Sequence, residues 1–158
     1  MSPLRRSPRL KEFDYLGPLA AHVTFVTRRR QALFVNVNLA AVCIKALGEA
    51  EAHFSAKVHA YCVMPDHVHA LVEMPEGVSL EDFAHRFKQL SGFRLKNLTG
   101  SFAWQTSYHD HVLRTEEAIV DVAHYVWDNP VKEGLVESWL EYPSSGPRSG
   151  MLAELGES

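Results

Sequence analysis

Two histidines, His67 and His69, stand one residue apart in an apolar run that has the composition of a β-strand. Alternate residues of a strand point to the same face, so both imidazoles would project together from one edge of a sheet. Two neighbouring imidazoles are able to bind one divalent ion and leave positions for a third protein group, water or a substrate oxygen. The same spacing is also typical of paired core or surface histidines, so taken alone it leaves both alternatives open.

A second candidate pair, Tyr125 and Asn129, lies on a predicted helix near the end of the chain. The core-facing stripe of this helix is formed by Ala118, Ile119, Val122, Ala123 and Val126. Tyr125 and Asn129 lie four residues apart at one margin of that stripe, so their side chains are neighbours. The phenol is a candidate nucleophile and the carboxamide a candidate metal ligand. Alternatively, the tyrosine ring packs with its hydroxyl in water, and Asn129 only terminates the helix.

The elements that must position these residues alternate between strands and helices. Periodicity predicts strands over 22–27, 57–64, 67–74 and 109–113, and helices over 38–54, from 79 to about 97–100, and 116–129. Pro65-Asp66 predicts a tight hairpin, and Pro130 predicts that the last helix stops at Asn129. After Gly134 we expect no regular structure. The order βαββαβ with a further helix is typical of an α+β fold, a ferredoxin-like sandwich whose antiparallel sheet has helices on one face, plus a C-terminal helix that bears the tyrosine.

Length and composition favour one globular domain over residues 1–158, with a basic arm over 1–20 and a Pro/Ser/Gly-rich acidic tail over 137–158. The chain has 158 residues, of which 46% are hydrophobic, and this content argues against a mostly disordered protein. No apolar run approaches the roughly 20 residues that span a bilayer, and the N-terminus lacks a secretion signal. Cys43 and Cys62 form neither a disulfide framework nor a CxxC metal site. We therefore expect a cytoplasmic protein without membrane attachment.

The net charge of −3 conceals two regions of opposite sign. Residues 1–113 carry 13 Lys and Arg against 10 Asp and Glu, whereas residues 114–158 carry 3 against 9. Several basic residues are able to neutralise the phosphates of a nucleic acid: Arg5, Arg6, Arg9, Arg28, Arg29, Arg30 and Lys88. From composition alone they are equally typical of solvated faces. Trp104 and Trp127 are candidates for stacking on unpaired bases, with burial in the core as the alternative.

Two segments in a fixed order carry a resemblance to a known family. The first is Met64-Pro65-Asp66-His67-Val68-His69, and the second runs from His124-Tyr125-Val126-Trp127-Asp128-Asn129-Pro130 to Val136. Together they resemble the REP-associated tyrosine transposases, which belong to the single-tyrosine HUH transposases. Further similar segments are Arg9-Leu10, His22-Val23-Thr24, Lys88-Gln89, Trp104-Gln105 and Tyr108 to Arg114.

The resemblance implies a role for each matching residue. His67, His69 and Asn129 would hold Mg²⁺ or Mn²⁺ at the scissile phosphate, and Tyr125 would attack phosphorus to form a 5′-phosphotyrosine. Tyr108 is the main rival nucleophile. The implied activity is metal-dependent cleavage and rejoining of single-stranded DNA at hairpin-forming, REP-like repeats. The implied protein is a bacterial, nucleoid-associated transposase that acts as a monomer, with a dimer as the alternative.

Two other functions are compatible with the same residues. One is a catalytically silent nucleic-acid-binding regulator on the same fold, in which Tyr125 would be dispensable. The other is a phosphodiesterase-type hydrolase that uses His67, His69 and a metal-bound water, and it would cleave without a covalent adduct.

Overall fold

The fold was determined from a computed structural model, which describes residues 19–113 and 118–154. The arginines predicted in the N-terminal arm, Arg5, Arg6 and Arg9, and the predicted start of the last helix at Glu116 lie outside the described residues. Among the described helices, none is long and apolar enough to cross a membrane.

The described residues form a five-stranded antiparallel sheet with the strand order β4-β1-β3-β2-β5. The strands are β1 (Leu19–Val26), β2 (Lys57–Met64), β3 (His67–Met74), β4 (His109–Val112) and β5 (Ser145–Gly146). The first four strands, with a helix after β1 and another after β3, have the predicted ferredoxin-like βαββαβ arrangement. The predicted fold is therefore confirmed, and β5 adds a short fifth strand at the edge of β2.

Within residues 19–113 and 118–154, four α-helices accompany the sheet: α1 (Val37–Phe54), α2 (Leu80–Thr99), α3 (Ile119–Lys132) and α4 (Arg148–Glu154). The Asn36 side chain caps α1 by accepting a hydrogen bond from the Asn38 amide, and the Ser79 side chain caps α2 through the Asp82 amide. Helix α2 ends at Thr99, and the next residue, Gly100, caps it with a φ of 84°, the left-handed conformation that glycine adopts without steric cost. Short 3₁₀ turns occupy Arg28–Arg30, Leu33–Val35 and Trp139–Glu141.

The two faces of the sheet carry two separate apolar cores. Val23 and Phe25 of β1 and Val68 of β3 pack on the first face, against α1 and α2. On the second face Leu71 of β3 packs with Val126 of α3. Because side chains alternate along a strand, the residues between the first-core positions of β3 must point toward α3. The side chains of His67 and His69 thus share a face with the tyrosine helix.

The sequence-based boundaries were wrong at three places. The N-terminal arm was expected to reach residue 20, but β1 already begins at Leu19, where it pairs with Met74. Helix α3 was expected to stop at Asn129, but it continues through Pro130 to Lys132. The tail was expected to lack regular structure, but it contains a 3₁₀ turn, β5 and α4.

Contacts with the sheet and with the second core explain why the described part of the tail has regular structure. Tyr142 donates a hydrogen bond from its hydroxyl to the Val63 carbonyl of β2 at 2.7 Å, and burial raises the pKa of this phenol to about 12. The indole of Trp127 donates to the Gly146 carbonyl at 2.9 Å, and Met151 of α4 is fully buried. Composition predicted a loose tail because it does not reveal these long-range partners.

Gly146 is the tightest point of this docking, because a Cβ there would lie 2.6 Å from the Tyr61 hydroxyl. We expect Gly146→Ala to lower the free energy of unfolding by about 1–3 kcal/mol, since the added methyl overpacks a filled site. Gly48→Ala is the matched control, because nothing lies within 4 Å of the added atom and the residue sits within α1. It should raise stability by about 0.5–1 kcal/mol. Urea unfolding measures both; equal effects would contradict the packing argument.

Candidate active site

The two histidines of the HxH motif are each oriented through Nδ1. His67 Nδ1 lies 2.6 Å from Asp66 Oδ1, and His69 Nδ1 lies 2.9 Å from His22 Nε2 and 3.2 Å from Thr24 Oγ1. The two rings stand 4.7 Å apart between centroids and are nearly perpendicular. Since these described contacts use Nδ1 in both rings, Nε2 is the nitrogen that each ring has left for a ligand.

The pairing of β1 with β3 brings His22 and Thr24 to this place. Thr24 is the direct cross-strand neighbour of His69, and His22 pairs with Leu71, so it is the diagonal neighbour. The three side chains therefore lie on one face of two adjacent strands. Sequence analysis placed His22 in a strand but gave it no part in the site.

Tyr125 lies beside these histidines within the same chain. Its ring is 5.6 Å from the His22 ring in an edge-on arrangement, and 47% of the residue is exposed. The ammonium of Lys132, two turns further along α3, lies 4.1 Å from the centre of the tyrosine ring. The half-exposed ring of Tyr125 therefore contacts both the imidazole of His22 and a cation.

Asn129 is held by the irregularity that Pro130 introduces into α3. Proline has no N–H, so it cannot donate to the carbonyl of Val126 four residues earlier. The Asn129 amide replaces that donor, since its Nδ2 lies 3.4 Å from the Val126 carbonyl and 3.0 Å from the Tyr125 carbonyl. The side-chain NH₂ is thereby engaged with the helix, and the amide oxygen is the atom available to a cation. This compensation also explains why α3 does not stop before Pro130.

Burial keeps the inner imidazoles neutral. Desolvation, and then the nearby His111, lower the pKa of His22 to about 4. Desolvation, followed by the neighbouring His22, His67 and Lys132, lowers the pKa of His69 further. For Asp66, burial favours the protonated form, but the hydrogen bond with His67 and the charge of Arg30 bring the pKa below its usual value. At neutral pH His22 and His69 are thus uncharged, and the neutral imidazole is the form that binds metal ions.

The predicted ligands suit a divalent cation. Two imidazole nitrogens and one amide oxygen make a neutral set that leaves the charge of the ion for an anionic substrate. Among the described residues, no group of three His, Cys, Asp or Glu side chains is arranged to hold a metal ion. Asn129, whose amide oxygen is able to bind a hard cation, stays the predicted third ligand of a site at His67 and His69.

Other predicted site residues lie elsewhere. Tyr108 packs on the first core, with its ring 5.7 Å from Phe25, so it lies on the face opposite to the histidines. Lys88 donates to the carbonyls of Gln105 and Thr106 at 2.7 and 3.0 Å, and burial lowers its pKa.

The three arginines of the turn after β1, Arg28, Arg29 and Arg30, are exposed. Arg30 forms an ion pair with Asp66 at 3.2 Å and lines a cavity of about 310 Å³ beside His67. Of the two candidate stacking residues, Trp127 is buried and stacks on Trp139 at 5.1 Å, so it is a core residue. Trp104 is half-buried and donates to Ser91 Oγ.

Sequence reasoning missed three members of this site: His22, Asp66 and Lys132. A signal existed for two of them. Asp66 directly precedes the HxH motif, and His22 alternates with Thr24 along a predicted strand. Only the β1–β3 register reveals that His22 meets His69. Lys132 lies past the predicted end of the helix, so the helical spacing from Tyr125 was not considered.

One family model and several bacterial proteins match this chain. The model of the family described as "Transposase IS200 like" matches residues 17–129. The REP-associated tyrosine transposase of Escherichia coli strain K12 is 29% identical over 94 residues, which are 56% of this chain and 53% of that protein. A Haemophilus influenzae relative is 26% identical over 117 residues, 65% of each chain. The chain thus spans between about half and two thirds of the length of these bacterial relatives.

Solved structures share the fold. The structure of a REP-associated tyrosine transposase bound to a REP hairpin superposes with a TM-score of 0.71 at 23% identity, covering 92% of this chain and 82% of that one. A transposase structure from Deinococcus radiodurans gives a TM-score of 0.55 at 22% identity, over 73% of this chain and 94% of that one.

The compensation between Asn129 and Pro130 predicts energetic coupling. Asn129→Ala alone should lower the free energy of unfolding by about 1–3 kcal/mol, because the Val126 carbonyl loses its donor. In a Pro130→Ala background, the loss of unfolding free energy caused by Asn129→Ala should be smaller by about 1 kcal/mol, since the backbone N–H at position 130 then donates to the Val126 carbonyl. A double-mutant cycle by urea unfolding measures the difference. Identical costs in both backgrounds would mean that the amide does not act as the substitute donor.

Proposed function

Because the chain belongs to the family of IS200-like transposases, as its motifs predicted, we propose that it cleaves and rejoins single-stranded DNA at hairpin-forming repeats through a covalent link to Tyr125. The substrate class follows from the relatives, one of which is described as bound to a REP hairpin. A chromosomal DNA substrate further implies a protein associated with the nucleoid of a bacterial cytoplasm.

One observation carries the proposal: Tyr125 lies on the same face and in the same chain as the His67–His69 pair, with its ring 5.6 Å from His22. Tyr108, the rival nucleophile, packs on the opposite face of the sheet. Since Tyr125 and the histidines lie together in one chain, the geometry supports attack by the tyrosine of the same subunit. A monomer then contains every proposed catalytic group.

The proposed reaction is a phosphoryl transfer between two oxygens. The Tyr125 hydroxyl loses its proton and its oxygen forms a bond to phosphorus, while the bond from phosphorus to the 3′ oxygen breaks. The leaving 3′ oxygen takes up a proton, and the strand's 5′ end stays on the enzyme as a phosphotyrosine. Attack by a 3′ hydroxyl reverses the exchange and rejoins the strands. No external energy source is needed, because one phosphate ester replaces another.

The chain's residues would supply position and charge for this step. His67 and His69, oriented by Asp66 and His22, would hold Mg²⁺ or Mn²⁺ together with Asn129. A bound divalent cation would polarise the phosphoryl oxygens and stabilise the charge that develops on them. The Lys132 ammonium, 4.1 Å from the Tyr125 ring, adds a positive charge where the phosphate must approach.

The first prediction from the proposed function concerns the nucleophile. Tyr125→Phe should abolish the covalent protein–DNA adduct, because the substituted ring has no oxygen to bond to phosphorus. Tyr108→Phe, the matched control, should form the adduct at the parent rate. The assay mixes the protein and Mn²⁺ or Mg²⁺ with end-labelled single-stranded hairpin oligonucleotides from repeats beside its own gene. A denaturing gel displays the adduct.

The two other candidate functions give different results in that assay. Cleavage that survives Tyr125→Phe without any adduct would identify the metal-water hydrolase. Binding without cleavage, unchanged in Tyr125→Phe and in a His67→Ala, His69→Ala double variant, would identify the silent regulator. Either result would overturn the proposal.

A second prediction concerns the residue that orients His67. Asp66→Ala should raise the Mn²⁺ concentration needed for half-saturation by about 10–100-fold, because the imidazole loses the partner that fixes its ring. Glu73→Ala is the matched control, since this carboxylate pairs with His59 at the other end of β3. Electron paramagnetic resonance of free Mn²⁺ measures binding directly, without reference to activity. Equal affinities in both variants would exclude an orienting role for Asp66.

A further inference from the structure

Two turns lie against each other at the end of the sheet next to the HxH motif. One follows β1 and covers residues 27–31, which we call the arginine turn, and the other is the hairpin turn Pro65-Asp66 between β2 and β3. The Thr27 amide donates to the Asp66 carbonyl at 3.0 Å, and the Phe34 amide donates to the Pro65 carbonyl at 3.0 Å. Phe34 is itself buried in the first core. The segment after β1 therefore fixes the backbone of the turn that precedes the HxH motif.

The arginine turn has a backbone conformation that residues other than glycine rarely adopt. Arg29 has φ 58° and Arg30 has φ 52°, in the left-handed region where the backbone crowds the Cβ atom. Two hydrogen bonds hold this conformation: the Thr27 hydroxyl donates to the Gln31 carbonyl at 2.8 Å, and the Arg30 amide donates to the Thr27 carbonyl at 3.0 Å. Strained backbone that its surroundings enforce in this way is typical of functional positions. The side chains that the turn presents are therefore candidates for a functional role.

The side chain of Arg30 contacts the residue that precedes the HxH motif. Its Nε lies 3.2 Å from Oδ2 of Asp66, and the second oxygen of the same carboxylate, Oδ1, lies 2.6 Å from Nδ1 of His67. One carboxylate thus joins the guanidinium to the proposed metal ligand. Since a carboxylate only accepts hydrogen bonds, the neutral ring of His67 carries its proton at Nδ1, and Nε2 keeps the lone pair that binds a metal.

The backbone ties between the two turns favour this ion pair. The side chain of Arg30 is 60% exposed and that of Asp66 is 26% exposed. Ion pairs on a surface are weak on their own, because water competes for both groups and both side chains lose freedom. Here the hydrogen bonds of Thr27 and Phe34 already hold the two turns together, and the strained backbone fixes the point from which the Arg30 side chain extends. The backbone thus supplies much of the ordering that an isolated pair would lack.

From these contacts we propose that Arg30 is a positioning residue for the metal ligand His67 and acts on it through Asp66. With Oδ2 paired to the guanidinium, the carboxylate is held with Oδ1 against the imidazole, and His67 presents Nε2 in one fixed direction. The guanidinium also neutralises the carboxylate charge beside His67, which would otherwise repel an anionic substrate. The inference rests on the proposed function for the presence of the cation, and it gives the arginine turn a task that precedes DNA binding.

The sign of the effect distinguishes positioning from simple electrostatics. A positive charge near a cation site repels the cation, so removal of Arg30 for its charge alone would tighten the binding of Mn²⁺. Removal of the group that orders Asp66 weakens binding instead, because the carboxylate and the imidazole gain freedom that the metal must then restrict. A contact of Arg30 with DNA phosphates alone would leave Mn²⁺ binding unchanged when no DNA is present.

Electron paramagnetic resonance of free Mn²⁺, with the full chain and no DNA, measures the effect. Arg30→Met should raise the dissociation constant of Mn²⁺ by about 3–10-fold, less than Asp66→Ala, because Arg30 acts one contact further from the metal. Arg29→Met is the matched control: it removes the same charge from the same turn, and among the described residues the Arg29 side chain has no hydrogen-bond or ion-pair partner. Its dissociation constant should equal that of the parent protein or lie slightly below it. An unchanged or lower dissociation constant in Arg30→Met would overturn the proposal.

Two further variants test the route through Asp66. Arg30→Lys should recover most of the Mn²⁺ affinity, because the ammonium is still able to pair with the carboxylate. In an Asp66→Ala background, Arg30→Met should cause no further change, since the group through which the arginine acts is already absent. An equal loss of affinity in both backgrounds would contradict a route through Asp66.

Glycine at position 30 separates the side chain from the folding of the turn. Arg30→Gly should weaken Mn²⁺ binding as much as Arg30→Met does. Its urea midpoint should be no lower than that of the parent protein, because glycine adopts a positive φ without strain. A loss of Mn²⁺ affinity confined to variants whose urea midpoint falls would mean that unfolding causes it, and the positioning role would be wrong.

The outcomes separate this inference from the catalytic one. If the parent protein forms the DNA adduct and binds Mn²⁺, and Arg30→Met binds Mn²⁺ equally well, the positioning role alone is overturned. If the Mn²⁺ affinities change as expected in a protein that forms no adduct, the positioning role is supported and the transposase mechanism is overturned. A parent protein that does not bind Mn²⁺ would overturn both the metal role of His67 and this inference.

Discussion

The antiparallel pairing of β1 with β3 is the constraint on which the rest of the site depends. It runs without interruption from Leu19 opposite Met74 to Val26 opposite His67. One face of both strands is buried under α1 and α2, so a slip of one residue would bring polar histidines into that core and expose the apolar set. The hydrophobic alternation therefore fixes His67 and His69 on the other face, and the same register sets His22 and Thr24 against His69.

Burial on that second face then decides the chemistry that the histidines can perform. Desolvation holds the pKa of His69 and His22 well below neutrality, so both rings are uncharged at the place proposed for the cation and the phosphate. Helix α3 seals this face with Val126 and Trp127 and leaves Tyr125 half-exposed at the rim. The buried residues of α3 fix the helix on the sheet, while the hydroxyl-bearing ring of Tyr125 stays accessible to solvent. This arrangement supports the proposal that DNA reaches Tyr125 from outside.

The turn after β1 joins this site to the opposite face of the sheet. Thr27 bridges the two sides, since its backbone pairs with Trp104, which packs on the first core, and with Asp66, which precedes the HxH motif. Arg29 and Arg30 of this turn have positive φ values of 58° and 52°, and backbone in that region persists only where its surroundings over-determine it. The backbone and hydroxyl hydrogen bonds of Thr27 supply several of these restraints.

The sequence by itself determined the first four strands, the first three helices and the pair of motifs. The hairpin strands at 57–64 and 67–74 and the α2 N-cap at Ser79 follow from local propensity and turn chemistry, which act over a few residues. The HxH alternation and the four-residue spacing of Tyr125 and Asn129 are local for the same reason. The tertiary structure alone decided that α3 covers the histidine face, that His22 orients His69, that Asn129 stabilises a helix through Pro130, and that Tyr142 and Trp127 order the tail. The first, second and fourth features depend on burial or on hydrogen bonds between residues that only folding brings together. The third depends on a side chain that replaces a missing backbone donor. Sequence periodicity carries no information about such partners.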